Sequence, residues 1–140
     1  MKRHDALAAL SRDHHHALVV AQRLKNADQT TATDARQAFL DYWRDDGRRH
    51  FREEEEILLP SYAGHCDPDL PIVARVLVDH VRIRRLADEV ATDAPPIAVL
   101  HALGAQLGDH VRREERELFP LIEESLPETE LARLLRLLAR

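Results

Sequence analysis

Cysteine occurs once in this sequence, at Cys66, which excludes an internal disulfide and any cluster held by several thiolates. Any bound metal therefore has to be held by nitrogen and oxygen. Glycine is also scarce, at 4 residues, whereas Ala, Leu, Arg and Glu, the strongest helix formers, dominate. A long apolar run is missing: the longest uncharged stretch, Ala94 to Gly108, contains Pro95, Pro96 and two glycines and is too short and interrupted to span a bilayer. No basic surplus exists either. A net charge of -5 and a pI near 6.0 offer nothing that would hold a phosphate backbone. Met1-Lys2-Arg3-His4-Asp5 leads into charged, amphipathic sequence with no apolar run and cleavage site, so no secretory signal is expected. These absences predict a cytoplasmic protein with no nucleic-acid and no membrane partner.

What is present is a chain of 140 residues, 44 % apolar and 32 % charged, enough for a single domain over residues 1–140 with one core. Leu7, Leu10, Ala17, Leu18, Ala21 and Leu24 recur at three- and four-residue steps and predict a first helix over about 4–27, with His14 in its apolar stripe. Phe39, Leu40, Trp43, Gly47, Ile57 and Leu58 trace a second from about 34 to 59 that carries His50 and Glu54. Pro60, Gly64, Pro68 and Pro71 mark a loop, with Pro71 suited to open a third helix because its missing amide has no intrahelical partner there. Ile72, Val76, Ile83, Ala87 and Val90 carry that helix. After a break at Thr92 to Pro96, Leu100, Leu103, Leu107, Val111, Leu118 and Ile122 outline a fourth, kinked or ended near Pro120. A short helix over about 128–139 closes the chain, as a cap or as a dimer contact, capping being the simpler reading. The expected fold is all-α: an up-down-up-down four-helix bundle with a short C-terminal fifth helix.

An internal repeat picks out candidate ligands. At an offset of 60, His50-Phe51-Arg52-Glu53-Glu54 lies over His110-Val111-Arg112-Arg113-Glu114, and the leucine and proline that follow coincide as well. At an offset of 66, Asp13-His14 lies over Asp79-His80. A duplicated bundle implies a pseudo-twofold axis, and a site on it would receive His14 and His80 from helices 1 and 3, and His50, Glu54, His110 and Glu114 from helices 2 and 4. Residues four apart share one helix face, so each His-Glu pair can reach the same or adjacent ions. A single His-x-x-x-Glu more often solvates a surface. Two at repeated positions on apolar faces would leave buried polar groups unsatisfied unless a metal or a complete hydrogen-bond network paired them. Two similar half-sites suit two metals.

His15 and His16 turn away from the apolar stripe, which favours His14 over His15 as the ligand from helix 1. His4, His65 and His101 read as non-ligands, and Cys66 as a loop bystander. Glu53, Glu55, Glu56, Glu115 and Glu117 read mainly as solvated charges, with Glu55 or Glu115 able to support a ligand from behind. Asp13, Asp79 and Asp109 each precede a candidate histidine, but adjacent side chains diverge by about 100°, so orienting an imidazole would take a histidine on a neighbouring helix.

A histidine in helix 1, His50-Phe51-Arg52-Glu53-Glu54, a histidine in helix 3 and His110-Val111-Arg112-Arg113-Glu114 together resemble the hemerythrin-like, HHE cation-binding family, over nearly the whole chain. The resemblance implies a di-iron centre, oxo- or hydroxo-bridged and carboxylate-bridged, inside a four-helix bundle. Its ligands would be these same six residues, with Glu54 and Glu114 bridging. Oxygen-carrying members have another histidine four residues after the helix 3 ligand; Arg84 stands there, which places this chain closer to the branch with four histidines and two glutamates. Arg84 is read either as holding an anion or as reaching into solvent. The donor set also admits manganese or zinc. The expected ligand is a small oxidant: hydrogen peroxide, dioxygen or nitric oxide. Catalase-like or other peroxide- or nitric-oxide-consuming turnover stands against oxygen or iron sensing or storage without turnover, and against a purely structural bundle.

Overall fold

The computed structural model describes residues 2–140, and every regular element among them is helical. A 3-10 turn, Asp5–Leu7, is capped by His4, whose Nδ1 accepts the Ala6 amide at 3.0 Å, and leads into α1, Ala8–Lys25. Helix α2 spans 32–63, α3 is Pro71–Val90, α4 spans 97–125 and α5 is Glu128–Leu138. The break before α4 contains Ala94 at φ 49°, left-handed backbone unusual for a residue with a Cβ. Among the described residues no helix is long and apolar enough to cross a membrane.

The second helix does not end at Pro60, nor the fourth at Pro120: they run on to Ala63 and Ser125. Proline removes an amide donor, and its ring crowds the carbonyl four residues back. Both helices meet this by widening the turn before the proline. Residues Glu54–Leu58 and Glu114–Leu118 are π-helical, and the amides of Leu59 and Phe119 donate five residues back, to the carbonyls of Glu54 and Glu114. The repeat at offset 60 thus extends to the backbone. A third π turn, Trp43–Gly47, lies earlier in α2, where a Cβ on Gly47 would stand 2.6 Å from Cε3 of Trp43.

Buried apolar side chains form two clusters. One gathers Leu7 and Leu10, Leu58 and Tyr62, Val73 and Val76, Leu118 and Ile122, and Leu131, Leu134 and Leu138 of α5, which covers it. The other gathers Ala17 to Leu24, Phe39 to Phe51, Ile83 to Val90 and Leu100 to Val111. In the second cluster α1 and α4 touch closely: a Cβ on Gly104 would come within 2.6 Å of the Ala21 carbonyl oxygen and 2.7 Å of the Lys25 nitrogen. Where each of α1 to α4 passes from one cluster to the other it carries a histidine, followed in α2 and α4 by a glutamate one turn on. A polar layer therefore separates two greasy ones.

Candidate metal centre

The structure brings all six sequence-predicted residues into that layer. His14 comes from α1, His50 and Glu54 from α2, His80 from α3, and His110 and Glu114 from α4, none more than 3 % exposed. They form two overlapping groups, His14, His50, Glu54 and Glu114, and Glu54, His80, His110 and Glu114, with ligand atoms inside each within 4.8 Å of one another. The two glutamates belong to both. His15 is exposed, His16 faces Asp46 at 3.0 Å, and His101 donates to the Ala27 carbonyl, so none of the three joins the cluster.

The halves mirror each other. The Nε2 of His50 lies 3.2 Å from Glu54, and that of His110 lies 3.2 Å from Glu114. The Nε2 of His14 lies 2.9 Å from Glu114, and that of His80 lies 3.0 Å from Glu54. Each half has its two imidazole centroids 4.8 Å apart. Donors about 3 Å apart fit two bonds of about 2.1 Å at right angles around one ion.

Behind every imidazole stands a carboxylate. The Nδ1–H groups of His14, His50, His80 and His110 donate to Glu115 at 2.7 Å, Asp13 at 3.0 Å, Glu55 at 2.6 Å and Asp79 at 3.1 Å. An ionised carboxylate only accepts, so it holds the proton on Nδ1 and turns Nε2 towards the centre. Arginines back the carboxylates in turn: Arg3 on Glu115, Arg140 on Asp13, Arg84 on Glu55, and Arg113 with Arg75 on Asp79. Asp13 and Asp79 serve histidines on neighbouring helices, as divergence along one helix requires. Asp109 does not: it is exposed and pairs with Arg112. Arg84 does not simply reach into solvent: one nitrogen of its guanidinium donates to Glu55 at 2.9 and 3.1 Å. These relays and the stacking of Phe51 on His80 and Phe119 on His14 are not apparent in the sequence, where only the repeated Asp-His pairs and the positions of Glu55 and Glu115 beside the candidate ligands point that way.

Burial works against the charge on His80, but the neighbouring carboxylates of Glu114, Glu54 and Glu55 outweigh it and raise its pKa to about 11. His50 is likewise raised well above the ordinary imidazole value, the charge of Glu54 overcoming desolvation, and His14 and His110 shift the same way. Glu114 is held well below the carboxylate range despite its burial, chiefly by His110. These shifts favour charged imidazole beside carboxylate, and even so the layer does not satisfy itself. Among the described residues, Nε2 of His50, His80 and His110, both oxygens of Glu54 and Oε2 of Glu114 are buried with no hydrogen-bond partner. Six orphaned donor atoms gathered in one buried layer and divided between two overlapping groups fit a metal group and argue against a merely structural network.

A family model, the hemerythrin HHE cation-binding domain, matches residues 5–122. The chain belongs to that family. The matched span of this hemerythrin-like domain contains all six clustered residues and the four carboxylates behind the histidines; α5 lies outside it. No curated protein and no solved structure matches the chain.

Proposed function

We propose that this hemerythrin-like chain is a non-haem di-iron protein that binds or reacts with a small oxidant, hydrogen peroxide, dioxygen or nitric oxide. His14 and His50 would hold one iron and His80 and His110 the other, with Glu54 and Glu114, which belong to both groups, shared between them. The observation that carries the reading is the set of orphaned donor atoms, with each histidine locked by a carboxylate so that a lone pair faces inward. Two bridging glutamates offset part of a cationic charge that would be very costly to bury alone. Bound iron would supply one-electron redox chemistry and coordination positions for the oxidant.

The protein's share is to hold the donors, keep Nδ1 protonated and exclude bulk. With every donor at most 3 % exposed, only a molecule of a few atoms can approach, which suits these oxidants and excludes larger substrates. One hollow of about 230 Å³ ends on Glu115, the carboxylate behind His14. The order of the apolar clusters supports an up-down-up-down bundle within a single domain: α1 and α3 pass from the Leu7 cluster to the Leu24 cluster, and α2 and α4 pass back.

Metal analysis with an optical spectrum, on protein purified without chelator or affinity tag, tests the centre. About two irons per chain with near-ultraviolet charge-transfer bands is expected; protein that refuses added iron overturns it. Peroxide loss by the iron-loaded protein, absent from the metal-free form, is the expected sign of turnover; its absence, with iron retained, leaves sensing or storage.

A further inference from the structure

Two arginines outside the ligand set occupy the same place in the two halves. The guanidinium carbon of Arg84 lies 5.5 Å from the centroid of the Phe51 ring, and Phe51 stacks on His80 at 3.9 Å and 6°. One nitrogen of Arg84 reaches both oxygens of Glu55, whose carboxylate accepts from Nδ1 of His80. In the other half the guanidinium carbon of Arg3 lies 5.4 Å from the centroid of Phe119, and Phe119 stacks on His14 at 5.2 Å and 13°. One nitrogen of Arg3 meets the Glu115 carbonyl at 2.9 Å and its carboxylate at 3.4 Å while another pairs with Glu123, and the Glu115 carboxylate accepts from Nδ1 of His14. Each histidine is thus held at its edge by a carboxylate and on its face by a phenyl ring, and one arginine secures both.

Inheritance from the repeat does not account for the match. At the offset of 60 that relates Glu55 to Glu115, Phe51 falls on Val111 and Phe119 on Leu59; at the offset of 66 that relates His14 to His80, Arg84 falls on Leu18 and Arg3 on Asp69. The same arrangement has been assembled twice from unrelated positions, once within helix α3 and once from the segment before the first turn. We infer that Arg84 and Arg3 are matched positioning residues, each fixing one imidazole and so setting the metal affinity of its own half: Arg84 that of the His80–His110 half, Arg3 that of the His14–His50 half. The inference rests on the metal-centre reading and assigns each arginine to one ion.

The test is cobalt(II) titration against a competing chelator, with the visible ligand-field spectrum recorded at each step, for wild type, Arg3→Met, Arg84→Met, Arg84→Lys and Arg85→Met. Methionine keeps much of the covering over the phenyl ring. Arg84→Lys keeps one cationic nitrogen for Glu55, and Arg85, exposed and paired with Glu89, serves as control. Each Met variant is expected to weaken one of two cobalt ions by roughly ten- to a hundred-fold and alter only that ion's bands, as loss of support behind a ligand does. Arg84→Lys should recover most of the affinity and Arg85→Met should match wild type. Equal weakening of both ions in either Met variant, or two unchanged affinities, overturns the assignment while leaving the centre intact. Wild type that binds no cobalt overturns the centre itself, and the two failures are distinct.

Discussion

The apolar clusters and the layer between them are held by opposite balances. Leu7, Leu10, Leu58 and Leu118, or Leu24, Phe39, Leu103 and Leu107, gain by leaving water, at about 25 cal/mol for each Å² buried, and need nothing else. His14, His50, Glu54, His80, His110 and Glu114 lose by leaving it, and the losses are only partly offset by Nδ1 hydrogen bonds and ion pairs. The contrast teaches that the fold can stand on its clusters while the layer sets its dependence on metal and pH. Damage in a cluster should lower stability and spare stoichiometry; damage in the layer should lower metal content first.

The sharpest break is Glu114→Ala. It removes a donor common to both halves, so metal affinity should fall at both positions by more than about 100-fold, beyond the loss typical of a supporting residue. Element analysis after dialysis checks this; a variant that keeps two tightly held metals would show that Glu114 bridges nothing.

Next comes pH. In the metal-free chain His14, His50, His80 and His110 titrate above 6.5, so their contribution to stability is complete below that value and is lost as pH rises through the folded values, about 11 for His80. Glu114, Glu115, Glu55, Asp13 and Asp79 titrate below their ordinary values, so theirs is present above the unfolded range near 4 and is lost on acidification through the folded values. Metal-free protein should melt highest between about pH 4.5 and 6.5 and lose on the order of 10 °C towards pH 10. Metal binding displaces imidazole protons, so the added stability from metal should grow over the same alkaline range. Thermal melts with and without metal decide it, and parallel curves would refute the linkage.

Within the clusters, Gly104→Ala drives a methyl into the backbone of α1 and should cost about 2 kcal/mol, or roughly 6 °C, with metal stoichiometry unchanged. Gly108→Ala, one turn further along α4, meets only the movable end of Arg112 at 3.2 Å and should be neutral or stabilise by up to about 1 kcal/mol through helix propensity. Similar losses in both would mean that the close contact between α1 and α4 is not what Gly104 serves. Smallest of all, His15→Ala and His65→Ala should alter neither melting nor metal content, since both side chains are exposed. Metal lost from either would reopen the choice of ligands.

Apolar periodicity located the helices, and the repeats at 60 and 66 located the six residues that converge, because a helix face is a property of spacing and can be read along the chain. Pro60 misled, and Pro120 left open whether the helix bends or ends: a proline signals a break in the hydrogen-bond ladder, but a π turn before each keeps the helix going. Asp13, Asp79 and Asp109 look alike in sequence, each one residue before a histidine. Only the packing of neighbouring helices gives Asp13 to His50 and Asp79 to His110 and leaves Asp109 in water.

The arginines show the limit most clearly. No local pattern relates Arg3 to Glu115 and Phe119, more than a hundred residues away, or separates Arg84 from the exposed Arg85 beside it. By itself the sequence determined the helical class, the register of each apolar face and the identity of the convergent donors, since those follow from short-range spacing. The tertiary structure alone decided which carboxylate stands behind which imidazole and which arginine secures it, because those contacts depend on how separate helices are rotated and stacked against one another.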